Sequence, residues 1–245
     1  MFGRTLCAFA MLIALTNSSN ASGAFETDTV KTSGGDLTIT FIGHGTLMFS
    51  FRGLTIHVDP WSRLADYAKL PKADIVLLTH AHPDHLDTAA LKLVSGAKTV
   101  LILTRECRAQ GLEGTVMNNG DTTEVSGIGI EAVPAYNIVA TRPDGRPFHP
   151  KGSGNGYIMT FGDTRVYVAG DTENTPEMRR LRRIDIAFLP MNLPYTMTPE
   201  MVADAVLAFR PKILYPYHFG ETDTSRLVEI LKGTPAIDVR IRKMK

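Results

Sequence analysis

Residues 79–85 read Thr-His-Ala-His-Pro-Asp-His, directly behind the apolar run 75–78. That run is short and unbroken, as a strand buried on both faces is. Whatever fold this chain adopts must end a buried strand among imidazoles and a carboxylate. The 245 residues contain seven histidines, and three of them fall in this segment. On an extended segment side chains at i and i+2 share a face, so His80 and His82 can bind one metal ion together. Pro83 cannot continue a strand and suits a helix start. The chain turns there, and Asp84 and His85 point to a neighbouring position. One loop thus offers ligands to two adjacent ions, and imidazole with carboxylate suits Zn, Mn or Fe. The spacing and the preceding strand argue against a chance surface cluster.

The surrounding pattern is strands first, then strand–helix alternation, occurring roughly twice. Residues 36–41 alternate polar and apolar, and 47–51 and 54–58 flank an Arg52-Gly53 hairpin signal. Buried strands are expected at 74–78, 99–103, 185–189 and 213–216, with shorter strands around 116, 125 and 128–133. A hairpin is expected at 157–161 and 165–169. Helices are expected at 87–94, 106–110, 199–209 and 225–231, the third opened by Thr198-Pro199. Residues 24–35 are small and polar and read as a flexible lead-in. Residues 135–156 are rich in Gly and Pro and read as a loop long enough to suggest a role. The fold class is α/β (α+β): two mixed β-sheets packed together with helices outside.

Composition excludes little by itself. The formal net charge is +1. The densest basic run, Arg179, Arg180, Arg182 and Arg183, has no interleaved aromatic residues. It reads as the solvated face of a helix, and no nucleic-acid partner is expected. At the N-terminus, Arg4, an apolar stretch over 6–15 and small residues at 21–23 read as a secretory signal, too short to span a membrane stably. Residues 24–245 are then the mature domain, secreted and periplasmic. That domain keeps one cysteine, Cys107, so it has no intramolecular disulfide. Oligomeric state is not legible.

With these residues in view, the His-x-His-x-Asp-His run resembles the signature of the metallo-β-lactamase superfamily. The resemblance implies an αββα sandwich with two divalent metal ions at one edge, Zn first and Mn or Fe as alternatives. It also implies that Asp171, in Gly170-Asp171-Thr172, bridges both ions, and that His218, in Tyr217-His218-Phe219-Gly220, is a ligand of the second. Gly43-His44-Gly45-Thr46 and Val58-Asp59-Pro60 are similar to the opening hairpins of the branch that includes ascorbate-6-phosphate lactonase-like proteins. Taken singly, Asp171 could be a turn residue and His218 a core histidine. Asp59 reads as structural and His57 as a core residue. His44 faces either substrate or the ligands from behind.

The sequence departs from the family at one place. A further histidine of the first metal is expected after a mid-chain strand, where this chain has Val133-Pro134-Ala135-Tyr136-Asn137. Asn137 could ligate weakly, His149 could swing in from the long loop, or the first ion could have a reduced shell. We place His149 near the site, as ligand or substrate contact. The expected chemistry is hydrolysis of an ester, lactone, amide or phosphodiester in a small-molecule substrate, with Asp84 handling protons. Lys151 is expected to hold a substrate anion and Tyr195 to donate to a developing oxyanion. The alternatives are a di-iron oxidoreductase and a non-catalytic metal-binding member of the fold.

Overall fold

The computed structural model describes residues 25–244. The segment read as a secretory signal lies outside them. Two seven-stranded sheets face each other. The first runs in chain order: β1 (Glu26–Thr32), β2 (Gly35–Gly43), β3 (Thr46–Phe51), β4 (Leu54–Val58), β5 (Ile75–Leu77), β6 (Val100–Leu103) and β7 (Thr115–Val116). The second also runs in chain order: β8 (Thr122–Val125), β9 (Ile128–Ala135), β10 (Gly154–Phe161), β11 (Thr164–Val168), β12 (Ile186–Pro190), β13 (Ile213–Tyr217) and β14 (Asp238–Val239). In each sheet the first four strands pair antiparallel and the later ones parallel. This is the expected sandwich of two mixed sheets.

Strand periodicity builds the interior. Leu37, Ile39 and Phe41 of β2 alternate with outward residues and meet Met159, Phe161, Val166, Phe188 and Tyr215 of the other sheet in one core. The Phe188 and Tyr215 rings stack with centroids 5.0 Å apart, and Phe41 tilts onto Tyr215 at the same distance. The outer faces are covered by helices. On the first sheet, α1 (Thr88–Val94) and α2 (Arg105–Ala109) seal Val76, Leu78 and Leu103. On the second lie α3 (Pro176–Arg179), α4 (Pro199–Phe209) and α5 (Thr224–Leu231). Each start has its cap: Asp87 accepts from Ala89 and Ala90, and Thr198 accepts from Met201 ahead of Pro199.

Three local expectations need correction. The stretch read as a flexible lead-in contains β1, whose Thr27, Thr29, Val30 and Thr32 suit a pleated edge. It is pinned from afar, because the Asp28 carboxylate accepts from Arg242 Nη2 (2.7 and 2.8 Å), Arg240 and the Tyr215 hydroxyl. The arginine run is mostly not helical: α3 ends at Arg179, and Arg183 has φ +56°. Pro83 opens one hydrogen-bonded turn rather than a helix. His85 N and Leu86 N both donate to His82 O, and α1 begins later at Thr88. Among the described residues no helix is long and apolar enough to cross a membrane.

Candidate metal centre

The ends of the parallel strands and the β2–β3 turn converge on one edge of the sandwich. From β5 comes the loop 79–85, from β11 Asp171, from β13 His218, and from the β2–β3 turn His44. Three residues of this edge hold left-handed backbone without being glycine: His44 (φ 50°), Asp59 (46°) and His218 (45°). Such conformations cost energy and concentrate at functional sites.

Asp59, at the end of β4, is the fixed point of the loop. Its carboxylate accepts from Thr79 N (2.8 Å), Thr79 Oγ1 (2.6 Å) and His85 Nδ1 (2.8 Å), all buried. With His85 Nδ1–H donating to Asp59, Nε2 is left facing Asp171 Oδ1 at 3.5 Å and His218 Nε2 at 3.2 Å. A carboxylate behind an imidazole sets its tautomer and its orientation. Gly45 makes the floor: a Cβ there would stand 2.8 Å from His85 Cε1 and 3.3 Å from His218 Cδ2. Gly170, at φ +66°, is equally confined by Asn155 O and Thr79.

Two groups of donors result. In the first, His80 Nε2 and His149 Nε2 approach His82 Nδ1 at 3.1 and 3.2 Å. In the second, Asp84 Oδ2 faces His44 Nε2 at 3.1 Å, His218 Nε2 at 3.6 Å and His85 Nε2 at 3.7 Å. Asp171 lies between them. Its Oδ2 is 3.4 Å from His149 Nε2, and its Oδ1 is 3.5 Å from both His85 and His218. Oδ1 is buried and accepts no hydrogen bond. An orphaned carboxylate oxygen among converging imidazole nitrogens costs several kcal/mol or so unless a cation meets it. This donor set fits a pair of divalent ions: imidazole on one side, imidazole and carboxylate on the other.

The electrostatics agree. Burial, reinforced by the neighbouring His85, holds His80 well below its ordinary value, so it is neutral and ready to ligate. Burial and His149 also lower His82. For His85, burial works downward, but Asp171 and Asp59 outweigh it and push the ring up to about 9. Asp171 and Asp84 stay ionised despite their burial, because histidines surround both.

Asn137 is not turned to the clusters as a donor. It stands behind His149, which occupies the third-histidine place in the first group. The Asn137 amide is itself oriented: Nδ2 donates to Tyr195 O (2.8 Å) and Glu173 Oε1 (3.4 Å). Glu173, which the sequence reading missed, is buried and accepts three successive backbone N–H groups, from Ile138, Val139 and Ala140 (2.7, 2.7 and 2.8 Å). It straps the start of the long loop to the segment that carries Asp171. His57 is a buried core residue whose Nε2 meets Pro71 O. Lys151 does not line the cleft over the clusters. Its Nζ pairs with Glu177 Oε1 at 2.7 Å and lies over the Tyr136 ring. That cleft, of about 390 Å³, is lined by Tyr195, Phe148, Asn192 and Arg142 besides the metal-ligand candidates. Arg142 and Phe148 carried no sequence signal beyond their place in a long loop.

Fold and site together define a metallo-β-lactamase-type domain. The family described as "Beta-lactamase superfamily domain" matches residues 38–218, and the chain belongs to that superfamily. It is 33% identical over 193 residues to a UPF0173 metal-dependent hydrolase of Methanopyrus kandleri, covering 74% of this chain and 84% of the relative. Among solved structures it is similar to a Parabacteroides distasonis protein described as a metal-dependent hydrolase, at 50% identity and a TM-score of 0.86. That match spans 90% of this chain and 100% of the other. A metallo hydrolase of Ignicoccus hospitalis matches at 26% identity and a TM-score of 0.70, over 84% and 95% of the two chains.

Proposed function

We propose that this chain is a secreted, two-metal hydrolase that cleaves an ester, lactone, amide or phosphodiester bond in a small-molecule substrate. One observation carries the reading: Asp171 presents one oxygen to His149 and the other to His85 and His218. A carboxylate so placed can serve two cations at once. His80, His82 and His149 would hold the first ion, and Asp84, His85 and His218 the second. Nitrogen-rich shells favour Zn, with Mn or Fe as alternatives. Two such ions would supply Lewis acidity and a water acidic enough to act as nucleophile at neutral pH.

The chain's own groups do the rest. Asp84 is ionised and lies at the cleft, where its carboxylate can accept a proton, while Oδ2 faces His44, His85 and His218. Tyr195, half-exposed in the cleft wall, offers a phenolic donor to an oxyanion forming there. Phe148 and Tyr195 pack edge to face with centroids 5.0 Å apart, giving the substrate an apolar wall and keeping water from that side. Export is supported by the N-terminal sequence pattern alone.

The test pairs elemental analysis with hydrolysis of chromogenic esters, lactones, anilides and bis(4-nitrophenyl) phosphate. Wild type is expected to carry close to two ions and to cleave one of these classes. Asp84→Ala should lose about one ion and at least 100-fold in rate. Metal content and hydrolysis both intact in Asp84→Ala would refute the assignment.

A further inference from the structure

Arg142 lines the cleft, its side chain held by an aromatic ring and one carbonyl rather than by a hydrogen-bonded carboxylate. Its backbone is fixed by a tight turn: Arg142 N donates to Arg146 O (2.7 Å) and Gly145 N donates to Arg142 O (2.9 Å). Its guanidinium lies over the Phe148 ring, Cζ 5.2 Å from the centroid, and Nη2 donates to Phe148 O at 3.4 Å. The nearby Asp144 is hydrogen-bonded by Arg146, at 2.9 and 2.7 Å, and interacts with Arg142 only through space, without a hydrogen bond. Glu106 borders the adjoining groove, and no ion pair joins it to Arg142. The acidic groups lining the cleft itself, Asp84 and Asp171, are turned to the histidine clusters.

Arg142 is the one permanent cation among the residues lining this cleft. A guanidinium has five N–H donors in a planar fork. Here a single weak bond to a carbonyl is made, and the Phe148 ring lies 5.2 Å from Cζ. A fork held over a ring and left without a hydrogen-bonded carboxylate is the arrangement that takes an oxyanion in two parallel hydrogen bonds.

We propose that Arg142 is the anion seat of the substrate site: the substrate carries a carboxylate or phosphate at the end remote from the bond that is cut. The reacting group lies at the histidine–aspartate clusters, an apolar middle lies along Phe148 and Tyr195, and the anion meets Arg142. This rests on the hydrolase reading above and deepens it by naming the substrate class.

The test is calorimetric titration of the metal-loaded, full-length mature protein with paired probes of equal carbon number. One series is acetate to hexanoate; the other is malonate to adipate, with phosphonoacetate and 3-phosphonopropionate beside it. The metals take one carboxylate of every probe, so the second anion reports on Arg142. At one chain length the dianion should bind at least tenfold tighter than its monoanion. Arg142→Gln should abolish that gain, with metal content unchanged before and after titration, and Arg142→Lys should keep part of it. The better of the carboxylate and phosphonate arms tells which anion the seat prefers. A gain that survives Arg142→Gln, or no gain at any length, overturns the proposal. Hydrolysis of neutral esters is followed separately. If it persists while Arg142→Gln changes nothing, this inference alone falls. A protein that binds dianions through Arg142 but cleaves none of the chromogenic substrates sinks the hydrolase reading. A protein that takes up no metal sinks both.

Discussion

Asn137 Oδ1 accepts two hydrogen bonds from one residue, from His149 N at 2.7 Å and from His149 Nδ1 at 2.8 Å. The amide therefore fixes both the backbone and the ring of His149. With Nδ1 protonated and engaged, Nε2 is the nitrogen turned to His82 and Asp171. Glu173 and Tyr195 O hold the other end of the same amide, so its oxygen cannot exchange places with its nitrogen.

Removing this support should weaken the first ion without removing any ligand. Asn137→Ala is expected to lower its affinity by about 10–100-fold, as is usual for partners behind a ligating histidine. Asn137→Asp keeps the acceptor for His149 but sets its second oxygen against Tyr195 O and Glu173 Oε1, so it should recover only part of the loss. Competition with a chromophoric chelator reads both. Wild-type affinity in Asn137→Ala would show that the amide does not position His149.

His149→Ala tests the ligand itself. If His149 completes the first group with His80 and His82, the variant should retain about one ion instead of two. The second group, held by separate side chains, should keep its affinity within a few-fold. Elemental analysis after gel filtration is sufficient. Two tightly held ions in His149→Ala would return Asn137, or a three-donor shell, to consideration.

Much of this site was legible in the sequence, for reasons that differ from residue to residue. His80, His82, Asp84 and His85 lie on one short loop, where strand periodicity and a proline turn are local rules. Asp171 and His218 were legible through motif resemblance alone, since nothing near either residue in the chain reports a partner about ninety or more positions away. Asn137 and His149 left three arrangements open, because the path of the loop between them is set by Glu173 gathering three backbone N–H groups, a tertiary event. Lys151 looked like an anion holder by sequence position, but Glu177 captures it, and Arg142 lines the cleft. The sheets were legible where strands are buried. The edge strand β1 was not, because its polar alternation resembles a loop until Asp28 finds Arg240 and Arg242.

Metal uptake should release a proton. Without metal, burial disfavours a charged His85, but Asp171 and Asp59 prevail and raise it to about 9. At pH 7 the ring is therefore protonated on both nitrogens. The Nδ1–H keeps donating to Asp59, and the Nε2 proton must leave for an ion to bind. His80, held low, has none to give. Between pH 6.5 and 9 the second ion should bind roughly tenfold tighter per pH unit, with about one proton released. For the metal-free fold the sign is opposite: the raised value stabilises it fully below about pH 6.5, and that contribution is lost as pH rises through about 9. Calorimetry in buffers of different ionisation enthalpy counts the protons. No release at pH 7 would contradict the charge assigned to His85.

Gly45→Ala should damage the second group without touching a ligand. The added Cβ would lie 2.8 Å from His85 Cε1, closer than real Cβ contacts allow, and 3.3 Å from His218 Cδ2. His85 cannot easily retreat, since its Nδ1 is tied to Asp59 and the ring is fully buried. The strain must therefore move His85, His218 or the β2–β3 turn. We expect a loss of about 1–3 kcal/mol in stability, the usual cost of overpacking, and more than tenfold weaker binding of the second ion. Gly129→Ala is the control, because its Cβ would meet Thr160 at 3.8 Å in ordinary contact and far from the clusters in the chain. Thermal melts with and without metal separate the two effects. Equal metal-induced stabilisation in Gly45→Ala and wild type would mean that His85 and His218 do not need this floor to hold an ion.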